Sequence, residues 1–139
     1  MSDLLNALQI SAYGMKAQGT RMRVISENRA NANTSATTPD GNPYTRKVVS
    51  FKNELDRELG LNLVGVDKIT REQSDEPLPV RLMPGHPGAD ENGYVKMPNI
   101  DPLIEAMDMR EAQRTYEANL GMIEQSRTMI LQTIDLLRG

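Results

Sequence analysis

The chain has no cysteine and no tryptophan, and it has one phenylalanine and one histidine in 139 residues. Without thiols there is no disulfide, no cysteine nucleophile and no thiolate set for zinc. With His86 as the sole imidazole, a Ser-His-Asp constellation has no basis beyond an accidental contact, and a transition-metal site has no second ring nitrogen donor from another histidine. No Gly-rich phosphate loop of Walker or Rossmann form is present. No catalytic residue, cofactor or metal ligand is therefore expected, and the chain reads as non-enzymatic. The shortage of aromatics removes the side chains that usually bury the largest areas. Leu, Ile, Val, Ala and nine Met carry the apolar load instead, and Met adapts to more than one packing partner.

Long apolar runs are missing too. Nothing approaches the roughly 18 residues of a membrane span, so no direct membrane insertion is expected. The start, Met1-Ser2-Asp3-Leu4-Leu5-Asn6, lacks the basic and apolar regions of a cleaved signal. A net charge of −3 gives no bulk attraction to nucleic acid or anionic lipid. Arg21, Arg23, Arg46, Lys47, Arg110 and Arg114 are scattered and read as solvated faces or interface ion pairs.

What is present is helical periodicity at both ends. Leu5, Leu8, Ala12, Met15, Gly19 and Met22 recur at gaps of 3, 4, 3, 4 and 3, a heptad seam that continues to Ser26 and Arg29. The second seam runs through Ala106, Met109, Gln113, Tyr116, Leu120, Ile123, Arg127, Ile130, Ile134 and Leu137. Asp101 is placed to cap this helix and Pro102 suits its first position. Seven of the eight prolines fall between the helices. There Tyr44–Lys52 and Leu61–Ile69 read as strands, with Leu78–Met83 a weaker third, and Val48, Val49, Phe51, Leu63, Val64 and Val66 as candidate buried positions. The expected fold is mainly α with a small β region. An N-terminal helix over 1–32 and a C-terminal helix over 101–139 pack as a coiled coil around a β-rich, irregular middle at 33–100. Leu4, Val24 and Ile25 flank the first seam, and Leu103, Met107, Met122, Met129, Leu131 and Leu136 flank the second. One pair of helices leaves these flanks uncovered, so lateral contacts to further copies or related chains are expected.

Three clusters remain. Asn28-Arg29-Ala30-Asn31-Ala32-Asn33-Thr34 leads to Gly41, Tyr44 and Arg46; Gly93-Tyr94-Val95-Lys96-Met97-Pro98-Asn99 precedes the second helix; and Tyr116-Glu117-Ala118-Asn119-Leu120 lies within it. As bare residues they are a helix exit, a turn with a short extended run, and a helix face. Together and in this order they resemble the bacterial flagellar axial proteins of the rod and hook family, and the second cluster looks like the proximal-rod members. Arg29 stands where that family usually has Leu, on the expected seam. The resemblance implies a structural subunit of the proximal rod of the basal body, exported without a cleavable signal by the flagellar type III apparatus and assembled in the periplasmic space. Its partners would be other rod proteins and further copies of itself, in a helical shaft that transmits torque and walls the export channel. It assigns assembly roles to Asn28, Ala30, Asn31, Thr34, Tyr44, Arg46, Gly93, Pro98, Asn99, Tyr116, Asn119 and Leu120, and the seam adds Ile123, Ile130 and Ile134. From the residues alone, a soluble helical adaptor that binds a partner through its seam is the competing reading, and a small enzyme built on His86 and loop carboxylates is a third.

Overall fold

A computed structural model describes residues 2–139 of the chain. Helix α1 spans Ser2–Ala30 and helix α2 spans Pro102–Arg138. Between them lie β1 (Lys47–Asp56), β2 (Leu61–Arg71), β3 (Val80–Leu82) and β4 (Tyr94–Lys96). The strands form two separate pairs, β1 with β2 and β3 antiparallel to β4. The weak third strand is therefore real but short, and its partner is the extended run of the second motif cluster. No helix of the described residues is long and apolar enough to cross a membrane.

Local chemistry sets the ends of both helices. Neither helix contains proline past its first position. Thr20, Thr115, Thr128 and Thr133 turn their hydroxyls back to the carbonyl four residues earlier, so they do not compete with the helix. The Asp101 carboxylate accepts the Leu103 N–H at 2.9 Å, and Pro102 needs no donor partner there. At the end of α1, both the backbone N–H and the side-chain Nδ2 of Asn31 donate to the Glu27 carbonyl, at 3.1 and 2.8 Å. That satisfies a carbonyl the helix itself leaves open.

The chain divides into two compact units. The first joins α1 as far as Met22, Ser50–Lys68 of the hairpin, and Arg110–Gly139, which holds most of α2. Within it the helices run antiparallel, since Gly14 lies against Asn119 and Arg21 pairs with Glu111 at 3.4 Å. Their covered faces match the expected seams in part. On α1 the expected positions Leu8, Met15, Gly19 and Met22 are half-buried, whereas Leu5 is 54% exposed and Ala12 is exposed; the covered face also takes in Leu4, Ala7, Ser11, Gly14, Gln18 and Arg21. On α2, Tyr116, Ile123 and Ile130 hold their expected places, but Ala112, Asn119, Ser126 and Thr133 replace Gln113, Leu120, Arg127 and Ile134. Leu120 and Ile134 are exposed, at 39% and 38%. The physical reason is close approach. A Cβ at Gly14 would come within 2.8 Å of Asn119 Nδ2, so at this level the helices approach closely through a small and a polar residue. On the hairpin, Leu63 is buried as expected, whereas Phe51 is 38% exposed.

The second unit joins Arg23–Val49 and Ile69–Met109. Its core is Val24, Ile25, Ala36, Val95 and Met97, together with two polar side chains, Asn28 and Glu105, each 1% exposed. The covered face of α1 continues into it at Ile25 and Asn28. Arg29 is thus not a seam residue; it is exposed, and Asn28 occupies the buried position.

Candidate assembly junction

Five of the motif residues nominated from sequence, Asn28, Asn31, Thr34, Tyr44 and Arg46, meet in the second unit around the entry to β1. Asn28 is the organising side chain. Its Nδ2 donates to the Lys47 carbonyl at 2.9 Å, and its Oδ1 accepts the Lys47 N–H and the Tyr44 hydroxyl, each at 2.9 Å. A carboxamide carries one acceptor and one donor side, as a peptide group does. Asn28 therefore pairs with Lys47 as a neighbouring strand would, and it holds the start of β1 against the last turns of α1. No other side chain of this size offers that pair of groups in a neutral form except Gln, which is one methylene longer.

The chain between Asn28 and β1 is tied down at each end. Thr34 Oγ1 donates to Asn31 Oδ1 at 3.1 Å, and the Thr34 carbonyl accepts the Tyr44 N–H at 3.0 Å. The Asn-rich run thus closes a loop on itself before the strand begins. Arg71 of β2 lies over the Tyr44 ring, 4.9 Å from its centre, and donates to the Thr45 carbonyl at 2.7 Å. Lys47 Nζ donates to Glu27 at 2.9 Å, and Arg23 donates to the other Glu27 oxygen at 2.8 Å.

Arg46 faces the first turns of α2. Its Nε donates to the buried Glu105 carboxylate, and its terminal nitrogens lie 3.5 Å from Glu72 and from Asp108. Burial works against the charged guanidinium, but the hydrogen bond and charge of Glu105, with the charges of Glu72 and Asp108, outweigh it and hold the Arg46 pKa above its ordinary value. Arg46 stays cationic at any physiological pH. One guanidinium thus gathers carboxylates from α2 and from the segment after β2. Arginine suits this position because its planar fork can serve several acceptors at once. Asn99 and Asp101 line a cleft of about 250 Å³ beside Arg46, Glu72 and Glu105.

The other nominated residues lie elsewhere. Gly93 adopts φ of +85° in the turn before β4, where a Cβ would meet Pro84 and Leu82 at 3.3–3.4 Å. Pro98 is buried at the end of β4, and Ala30 is exposed at the end of α1. Tyr116, Asn119, Ile123 and Ile130 are half-buried along α2, with Leu120 and Ile134 exposed beside them. Sequence reasoning missed Glu105. The available signal was an acid on the inner face of a well-capped first turn, which is otherwise an ordinary dipole-favoured position.

The junction is built to hold backbone in place. Most of its donors and acceptors are spent on one another, although Glu105 Oε2 is buried without a hydrogen-bond partner; in the loop before β1, Ser35 Oγ lies 3.2 Å from His86 Nε2. Comparison with known proteins agrees with a structural role. A family model described as "Flagellar basal body rod FlgEFG protein C-terminal" matches residues 91–136. The chain is 46% identical over 139 residues to "Flagellar basal-body rod protein FlgC" of Agrobacterium fabrum, covering 100% of this chain and 99% of the relative. The protein of the same name from Salmonella typhimurium is 39% identical over 133 residues, covering 96% of this chain and 97% of its own length. The one from Borreliella burgdorferi is 34% identical over 154 residues, covering 98% and 99%.

Proposed function

The chain belongs to the FlgC family of flagellar basal-body rod proteins, and from that premise we propose that it builds the proximal part of the rod by helical assembly with other rod proteins and with further copies of itself. It is a structural subunit of the flagellar basal body. The observation that carries the finer reading is the distribution of apolar surface on α2. Leu103, Met107, Met122, Leu131 and Leu136 are 49–83% exposed along a helix whose covered face already holds Tyr116, Ile123 and Ile130. Isolated helices rarely leave so much apolar surface uncovered without a partner to cover it.

In this reading the helix pair forms the inner layer and wall of the export channel, and the middle at 33–100 forms the outer layer. The junction around Asn28, Asn31, Thr34, Tyr44 and Arg46 fixes how the chain leaves the inner layer, and Gly93, Pro98 and Asn99 fix how it returns. Tyr116, Asn119, Leu120, Ile123, Ile130 and Ile134 set the register of the helices on their neighbours. The subunit reaches the periplasmic space through the flagellar type III export apparatus, keeps its N-terminus, and passes torque outward once assembled.

The test is replacement in cells. Cells lacking the chain are expected to be non-motile and to secrete no distal subunits, and the intact chain restores both. Basal bodies purified from the restored cells contain it with its first residues present. Full motility without the chain, or a soluble cytoplasmic complex in place of incorporation, would overturn the proposal.

A further inference from the structure

Arg46 leaves part of a buried charge unmet. Glu105 is 1% exposed, and its Oε2 has no hydrogen-bond partner. A guanidinium can close on both oxygens of a carboxylate as a fork. Here its Nε meets Oε1 alone, while its terminal nitrogens turn to Glu72 and Asp108. A buried carboxylate oxygen without a donor is costly, and the fold supplies none.

Glu105 lines an acidic groove that lies wholly within the second unit. The cleft of about 250 Å³ beside Arg46 adjoins a second of about 400 Å³, and the two share Arg46, Glu72 and Asn99. Together their linings hold five carboxylates, Glu72, Asp75, Glu76, Asp101 and Glu105, and one cation, Arg46. Five against one leaves an excess of four negative charges. The neighbouring charges do not remove it. Asp108 on Arg46 and Arg71 on the Tyr44 ring offset each other, and Lys47 is held by Glu27. Asp101 is engaged in capping α2. Among the described residues the side chains of Asp75 and Glu76 have no partner. Leu78 and Ile104, 38% and 52% exposed, give the groove apolar wall.

We propose that this groove receives an arginine or lysine side chain from an adjoining subunit of the rod. The cationic head sits among Glu72, Asp101 and Glu105 and meets the charge that Arg46 leaves over. The aliphatic stem lies on Ile104 and Leu78, as long basic side chains do on apolar surface. A side chain fits better than a bare metal ion, because no group of three or more acids or histidines is gathered to hold one among the described residues. The unit folds without its visitor, and the visitor relieves the one carboxylate that folding leaves in part unmet. A single seated side chain falls far below the roughly 1,200–2,000 Å² of a stable complex. It therefore acts alongside helix packing, where assembly makes the effective concentration high. Its contribution is choice of neighbour, since an acidic segment is repelled from the same groove. The inference rests on the rod-subunit reading.

The exposed walls of the groove give the test. The full chain with p-benzoylphenylalanine in place of Ile104, or of Leu78, is expressed instead of the original, and purified basal bodies are irradiated. The expected result is a covalent adduct between chains. Mass spectrometry places it on a neighbouring subunit, at or beside an arginine or lysine. Independently, the chain carrying Asp75→Lys and Glu76→Lys keeps its denaturant midpoint when isolated and is incorporated several-fold less. Changing the mapped base to glutamate restores that incorporation. Incorporation of both photoreactive chains without an adduct between chains overturns the contact and leaves the rod reading standing. An adduct on a segment without a basic residue does the same, as does unchanged incorporation of the charge-reversed chain. Absence of the unaltered chain from basal bodies overturns the rod reading and this inference with it.

Discussion

The two units solve the problem of buried surface in opposite ways. In the second, most buried polar groups are matched in place: Asn28 satisfies both groups of Lys47, and Arg46 meets three carboxylates, with Glu105 Oε2 the buried oxygen left over. In the first, small residues such as Gly14, Ala112 and Ser126 are covered beside Tyr116, Ile123 and Ile130, and other large apolar side chains of α2, among them Met122, Leu131 and Leu136, stay exposed. A polar network must be completed within one chain, because a half-satisfied one costs more than none. An apolar flank can wait for a neighbour. The second unit is thus organised to stand alone, and the first is organised to be finished by assembly.

On the scale of the isolated chain's stability, Arg46→Ala gives the largest effect. It strands Glu105, 1% exposed, as a buried charge without its cation. Removing one partner of a buried pair costs about 3–5 kcal/mol. Arg46→Lys recovers only part, since a point charge cannot reach all three carboxylates. Denaturant midpoints measure both, and a midpoint equal to that of the original chain for Arg46→Ala would break the contrast between the units. Asn28→Ala follows. It leaves the Lys47 N–H and carbonyl and the Tyr44 hydroxyl without their common partner, a loss of about 2–3 kcal/mol. Faster amide exchange should then be confined to the start of β1 and the end of α1. If exchange accelerates equally along the C-terminal part of α2, the two units do not differ as described.

Substitutions on the open flanks should do the reverse. Met129→Asp and Leu131→Asp, at positions 45% and 51% exposed, should move the stability of the isolated chain by no more than about 0.5 kcal/mol. The same substitutions should prevent incorporation into basal bodies. A motile cell carrying Leu131→Asp would show that this flank is ordinary solvent-facing surface.

How far this contrast is legible in sequence differs between the units. Both helices, the Asp101 cap of α2, β1 and β2 follow from periodicity, capping chemistry and proline placement. The heptad gaps also hold, but on α1 Leu5 and Ala12 give way to Leu4 and Ser11, while Leu8, Met15, Gly19 and Met22 stay half-buried as expected. Periodicity finds the most apolar stripe, whereas a tight helix pair chooses the one that allows backbones to approach. The same displacement moves the family departure at Arg29 to solvent and gives the buried position to Asn28. The junction was half legible: the residue types at Asn28, Tyr44 and Arg46 marked it. Their partners Lys47, through its backbone, and Glu105 did not, because backbone pairing and an acid on a capped turn leave no distinctive pattern.

The smallest expected effect tests whether the polar unit engages even its exposed groups. The Glu27 carboxyl is held below its ordinary value of 4.5. The hydrogen bond from Lys47 is the main cause. Slight burial opposes it, and the Lys47 charge and the Arg23 contact add to the lowering. With the folded value depressed, the contribution of Glu27 is present above its ordinary value and fades as pH falls through the folded one. A carbon-detected NMR titration should therefore give Glu27 a midpoint on the acid side of 4.5. Lys47→Met should return most of the displacement and Arg23→Met a smaller share. Because the group faces solvent, raising the salt concentration should shrink it in the original chain. A midpoint unmoved by Lys47→Met would mean that Glu27 is merely near the junction. In that case the polar organisation of the second unit would stop at its buried residues, Asn28 and Glu105.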